Sequence, residues 1–135
     1  MPIEFSSNKF HICNDETSYV IEVSKQHDLL NLYYGARIDT ESVSAPQTIQ
    51  SGFCCCADDI NYSLSAHAQE YPSSGASDFR SPAYEIETDK GLHTPELKYK
   101  RYEIINGKPR TEGLPSVYTE DGKEAQTLII TAADE

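Results

Sequence analysis

The stretch "KFHICNDETSYVIEVSKQHDLLNLYYG", residues 9–35, decides the fold class. In "KFHIC" the apolar Phe10 and Ile12 alternate with Lys9 and His11. After the turn-forming "NDET", the run "YVIEV" sets Tyr19, Ile21 and Val23 on one face. The polar "SKQHD" leads into "LLNLYYG", where strict alternation puts Leu30, Leu32 and Tyr34 on one face and Asn31 on the other, with Gly35 as the stop. A period of two, repeated across polar turns of hairpin length, predicts a three-stranded antiparallel meander.

The same period returns late in the chain. "YEIE" places Tyr84 and Ile86 inward and Glu85 and Glu87 outward, and "DKG" turns the chain. In "ELKYKRYEII" Leu97 and Tyr99 share one parity whereas Tyr102 and Ile104 share the other, which predicts a β-bulge at Lys100-Arg101. Asn106-Gly107 is the strongest hairpin signal in the sequence. "LPSVYT" and "TLIITA" read as two further strands separated by "EDGKE". No segment holds a 3.6-residue period. The expectation is an all-β chain of about seven or eight short strands forming an antiparallel β-sandwich. Because "TLIITAADE" ends directly behind a strand, residues 1–135 are expected to be part of a larger β domain.

Composition narrows the function classes. The chain has 135 residues, 38% of them hydrophobic, with nine Tyr and four Phe, enough to bury a core. Its 22 acidic side chains against 11 basic ones give a net charge of −11. That balance opposes binding to nucleic-acid phosphates or anionic membranes and suits neutral ligands. "MPIEFSSNKF" carries no apolar signal core, and no apolar run approaches the roughly 20 residues that span a bilayer. The expected location is the cytoplasm.

Metal and cofactor chemistry is not expected. Cys13 stands alone and Cys54, Cys55 and Cys56 are adjacent, whereas zinc-binding cysteine pairs are usually about two to four residues apart. Consecutive residues of an extended chain point to opposite sides. Free thiols are the expectation, not a metal site or a disulfide framework. The four His form no ligand spacing, and no Gly-rich phosphate loop or nucleophile elbow occurs. Asp58-Asp59 is read as a solvated acidic loop rather than a catalytic pair. By its own residues the chain is not expected to be a complete enzyme, although spacing alone leaves Ser-His-Asp chemistry open.

Residues 36–68 show no sustained period and continue into "QEYPSSGASDFRSPAYEIE", residues 69–87. Such a long irregular stretch in a compact domain is usually functional or mobile. Its aromatic content marks it as ordered, since disordered linkers are poor in aromatics. Two readings stay open for Asp78, Phe79 and Arg80. Phe79 could stack on a sugar while the flanking charges bind hydroxyls. Alternatively, Arg80 pairs with Asp78 or Glu85, Phe79 plugs the core and Pro82 sets the start of the next strand.

This stretch resembles the Gln-Glu-Tyr-Pro … Gly-x-x-Asp-Phe-Arg-x-Pro-Ala signature near the start of glycoside hydrolase family 36 α-galactosidases. "MPIEF", "LYYGARI" at 32–38 and "YEIINGKPRTEGLPSVYTEDGKEAQTLII" at 102–130 agree in the same order. The resemblance implies that residues 1–135 are the opening part of a β-supersandwich domain, with a (β/α)8 catalytic barrel and a C-terminal β domain absent. It further implies a parent that hydrolyses melibiose- and raffinose-type α-galactosides with retention and forms a homo-oligomer. The parent's catalytic aspartates would lie in the barrel, so this chain has no counterpart of them and contributes scaffold, interface and active-site-loop roles.

In such enzymes one loop of this domain reaches the galactose site and reads Asp-Arg, a small residue, Phe. Here "QSGF" matches it only through Phe53, the one substrate-binding residue the resemblance supplies, because Gln50 and Ser51 replace the charged pair. "DINYSLSAHAQEYP" departs from the family pattern at Ile60, Ser65 and Ala68. Asp78, Phe79 and Arg80 are expected to structure their loop. The alternative from another class is a free-standing carbohydrate-binding or assembly module.

Overall fold

The computed structural model describes residues 3–40, 43–44, 59, 62–75, 78–115 and 125–134. Six strands lie among them: β1 (Ile3–Ser6), β2 (Lys9–Cys13), β3 (Thr17–Val23), β4 (Leu29–Ala36), β5 (Lys98–Asn106) and β6 (Gln126–Ala133). A 3-10 turn, Leu64–Ala66, lies in the irregular part. The first four strands form an antiparallel sheet in chain order, and β5 pairs antiparallel with β6 in a second sheet. The architecture is an all-β sandwich.

Each turn of the first sheet is written in its side chains. Ser7 and Asn8 both take positive φ, 49° and 60°, and join β1 to β2 through a two-residue turn flanked by the Ser6–Lys9 pair. That is the backbone twist a tight hairpin needs. Between β2 and β3, Asn14 Oδ1 accepts from the amides of Glu16 at 2.9 Å and Thr17 at 2.6 Å. Between β3 and β4, Ser24 Oγ accepts from the amides of Gln26 and Asp28 at 3.1 and 3.0 Å, while His27 takes φ 63°.

Phe10, Ile21 and Val23 form the core, with Phe5, Tyr19 and Leu29 beside them and Tyr99, Leu128 and Ile130 packing from the second sheet. Phe10 is fully buried, with its ring 4.5 Å from that of Phe5 and edge-on to Tyr102 at 5.1 Å. Burying one such side chain contributes about 1.5–3 kcal/mol. The sheets are also tied at their margins. The Ile3 amide donates to Gln126 Oε1 at 2.8 Å, and the Tyr99 amide donates to the His27 carbonyl at 2.7 Å.

The other face of the first sheet is covered too. His11, Ser18, Val20 and Leu30 are buried there. Ser18 Oγ accepts from the Ile38 amide at 3.0 Å, and Lys9 Nζ donates to the Val43 carbonyl. Ile38 and Val43, just beyond β4, are thereby held against this face of the sheet.

The expected bulge is present: Tyr99 pairs with Ala132 and Arg101 with Thr131, leaving Lys100 as the extra residue. Other readings need correction. The meander has a fourth strand, β1. Leu30, Leu32 and Tyr34 do not share a face, because Val20 pairs with Tyr33 and Ile21 with Asn31, so Leu32 is an extra residue that flips the parity. Asn31 consequently lies on the Ile21 face, and Leu30 lies opposite Tyr34. "YEIE" forms no strand, and Ile86 is exposed.

Asn106-Gly107 does not close a tight hairpin. Asn106 pairs with Gln126, and the Gly107 amide, at φ 88°, donates to the Ala125 carbonyl at 2.6 Å. Leu114 lies outside any strand and is exposed. Pro115 is likewise outside any strand, and residues 116–119 of the expected strand lie outside the described residues.

Candidate functional site

The loop marked by the sequence is a closed structure built on the edge of β4. The Asn31 amide donates to the Ala68 carbonyl at 2.7 Å, and the Glu70 amide to the Leu29 carbonyl at 2.8 Å. Residues 68–70 thereby cover what would be an open sheet edge. The Glu70 carboxylate accepts from the Tyr19 hydroxyl and, at 3.0 Å, from Asn31 Nδ2. Burial raises its pKa above the ordinary value.

Beyond Glu70 the rings of Tyr71 and Tyr84 stack at 5.0 Å and 15°, and the Ala83 amide donates to the Pro72 carbonyl at 2.8 Å. These contacts close the neck of the loop. At its far end the Asp78 amide donates to the Gly75 carbonyl at 2.9 Å. Gly75 sits at φ 96°, and a Cβ there would lie 2.9 Å from Thr94 Cγ2, so both backbone and space demand glycine.

Asp78 organises the interior of the loop. It is 4% exposed. Arg80 Nε donates to its two carboxylate oxygens at 2.9 and 3.1 Å, and Nη2 donates to Oδ2 at 2.7 Å. The Arg80 amide and Gln69 Nε2 donate to the same carboxylate. Arg80 Nη2 also reaches the Leu64 carbonyl at 2.8 Å, which joins the loop to the 3-10 turn. The Arg80 side-chain bonds hold the Asp78 pKa below its ordinary value, against burial, and the pairing raises that of Arg80. Phe79, between them, is 90% exposed.

A second buried network anchors this region to the sandwich. Asp28 Oδ1 accepts from Lys98 Nζ at 2.8 Å, and Oδ2 accepts from the Tyr62 hydroxyl at 2.9 Å. One carboxylate thus connects the β3–β4 turn, the segment after residue 61 and the start of β5. The buried His67 ring stacks on Tyr62 with centroids 4.6 Å apart. Burial lowers the His67 pKa below 6.5, with Asp28 and Glu22 pulling it up and Arg80 adding to the depression.

The sign of the linkage follows. An unfolded His takes up a proton below its ordinary pKa, whereas folded His67 resists until lower pH, so its contribution is full above 6.5 and is lost as pH falls through the depressed value. The urea midpoint of the chain is therefore expected to fall from about pH 7 to about pH 5 more steeply than that of a His67→Phe variant, which keeps the stacking ring. Parallel curves would contradict this assignment.

A cleft of about 390 Å³ opens beside the neck of the loop, lined by Leu29, Glu70, Tyr71, Leu97 and Ile130 among others. Of the residues singled out by sequence, Asp78 and Arg80 are brought together and Phe79 faces solvent instead of plugging the core. Glu85 is not the partner of Arg80. Phe53 and the triplet Cys54–Cys56 lie outside the described residues, and Cys13 is buried and not in a disulfide. Sequence reasoning missed Asp28, Tyr62, His67 and Lys98. Its only local signal was the Ser24…Asp28 spacing within a turn.

The comparisons with known proteins meet this geometry at the level of the whole chain. The family model "Glycosyl hydrolase family 36 N-terminal domain" matches residues 27–135. The chain belongs to that family. The bifunctional alpha-galactosidase/sucrose kinase AgaSK of Mediterraneibacter gnavus is 40% identical over 141 residues, covering 100% of this chain and 15% of that protein. The crystal structure of alpha-galactosidase AgaB from Geobacillus stearothermophilus superposes with TM-score 0.88 at 33% identity, covering 99% of this chain and 19% of AgaB. AgaA from the same organism, in complex with stachyose, gives TM-score 0.85 at 35% identity, covering 93% of this chain and 18% of AgaA. The family 36 N-terminal domain described here thus spans less than a fifth of the relatives it matches.

Membership fits the chemistry of the described residues. The carboxylates of Asp28, Glu70 and Asp78 are each held by donors from neighbouring segments. A glycosidase instead needs two carboxyl groups facing each other across a scissile bond. These three carboxylates of the family 36 domain act as struts. Among its described residues no helix is long and apolar enough to cross a membrane, and no cluster of His, Cys, Asp and Glu suits a metal ion.

Proposed function

We propose that this chain is the non-catalytic N-terminal β-sandwich segment of a cytoplasmic, oligomeric α-galactosidase acting on terminal α-galactosides of the melibiose and raffinose type. The supporting observation is the superposition on AgaB, which takes in 99% of this chain and only 19% of the enzyme. In this reading the catalytic aspartates lie in a barrel further along the same polypeptide. The segment scaffolds that barrel and contributes to the oligomer interface. Asp78 and Arg80 fix the 69–84 loop, and Phe79 is presented by it.

Phe53 is assigned an aromatic contact at the galactose site. In the full-length polypeptide, Phe53→Ala is expected to raise KM for raffinose several-fold, the loss of roughly 1 kcal/mol of ring contact, with kcat nearly unchanged. Unchanged KM would remove Phe53 from the site. The reading as a whole is tested by assaying raffinose hydrolysis with the full-length polypeptide and with residues 1–135 alone. Activity confined to the former supports it, and an inactive full-length polypeptide overturns it.

A further inference from the structure

We propose that Phe79 is a docking anchor, inserted into an apolar hollow on the part of the same polypeptide that lies beyond this segment. The inference rests on the reading of the chain as an N-terminal segment and adds to it a named contact. A single exposed aromatic on a surface needs no special explanation. Phe79 is different because its backbone is clamped on both sides: Asp78 is buried beneath it, and the Arg80 amide and guanidinium are bound to that carboxylate.

Gly75, which cannot carry a Cβ beside Thr94, and the Tyr71–Tyr84 stack fix further described residues of the loop. The ring is thus 90% exposed on a rigid support, so little conformational freedom remains to be lost when it is covered. Buried aromatic anchors on preorganised supports carry much of the energy of protein interfaces.

Chain length selects the occupant. The relatives place more than four-fifths of their length outside the region this chain matches, which supplies a covalently attached partner at high effective concentration. The partner surface should be an apolar hollow rimmed by carboxylate or carbonyl oxygens, because the Arg80 side chain beside Phe79 is 43% exposed.

The test uses the full-length polypeptide, as wild type, Phe79→Ala and Phe79→Leu, read by calorimetry and by raffinose hydrolysis. Since Phe79 is solvent-exposed within this segment, its truncation leaves the folding of the segment itself intact. Phe79→Ala is expected to split off a separate unfolding transition about 5 °C or more below the main one, and Phe79→Leu to restore most of the coincidence. An active wild type whose Phe79→Ala variant melts identically overturns the anchor and leaves the galactosidase reading intact. A wild type without activity whose variant still splits overturns that reading and leaves the anchor. Loss of an oligomer on size-exclusion chromatography with no split transition assigns Phe79 to a contact between copies and overturns the proposal.

Discussion

Replacing Phe10 by alanine is expected to destabilise the chain by about 3–5 kcal/mol, enough to remove most of the stability of a small domain. The ring is fully buried at the junction of both sheets, in contact with Phe5 from β1 and with Tyr99 and Tyr102 from β5. Truncation loses the transfer free energy of the ring and leaves a cavity. The sheets cannot close that cavity, because the β1–β6 and β5–His27 hydrogen bonds fix their separation. Urea unfolding followed by far-UV circular dichroism measures the loss. A change below about 1 kcal/mol would mean that the two sheets do not share this core.

Asp78→Ala is expected to cost about 2–3 kcal/mol and to loosen the whole 69–84 loop. The carboxylate is the common acceptor for Gln69, the Arg80 amide and the Arg80 guanidinium, so its removal leaves several donors without a partner. The cost stays at the low end for a broken ion pair because the Arg80 side chain is 43% exposed and can be hydrated. Hydrogen exchange of the Asp78, Arg80 and Ala83 amides is expected to accelerate in the variant, and unchanged protection would contradict the clamp. The pH dependence has a definite sign. Because the folded pKa of Asp78 is depressed, its contribution is full above the ordinary value of 3.8 and is lost as pH falls through the lower folded value. Asp78→Asn should therefore flatten the acid limb of the stability curve.

The features legible in the sequence are those carried by local parity. The switch between Tyr99 and Tyr102 revealed the bulge because the intervening Lys100 and Arg101 are charged and break the alternation visibly. The bulge at Leu32 was hidden, since "LLNLYY" is apolar on either parity and an extra residue leaves no mark. β1 escaped because its turn uses Ser7 and Asn8 at positive φ, without the Gly that usually announces such a hairpin. Asn106-Gly107 marked a real positive-φ site but a false tight turn, as β6 begins only at Gln126. In "YEIE", Tyr84 packs on Tyr71 across a closed neck, so its alternation never enters a sheet.

The candidate site was legible where its residues are adjacent. Asp78 and Arg80 stand two apart and could be matched by charge. The network of Asp28, Tyr62, His67 and Lys98 draws on segments distant in sequence, and no period or spacing links them. Likewise, the exposure of Phe79 depends on how the loop closes, which its composition does not encode.

The most direct test of the central claim is the intact mass of the native polypeptide that carries residues 1–135. Membership in a family whose matched relatives are more than five times longer predicts a product well beyond Glu135. A native product ending at Glu135 would contradict the account and leave a small β protein whose function must be sought in binding.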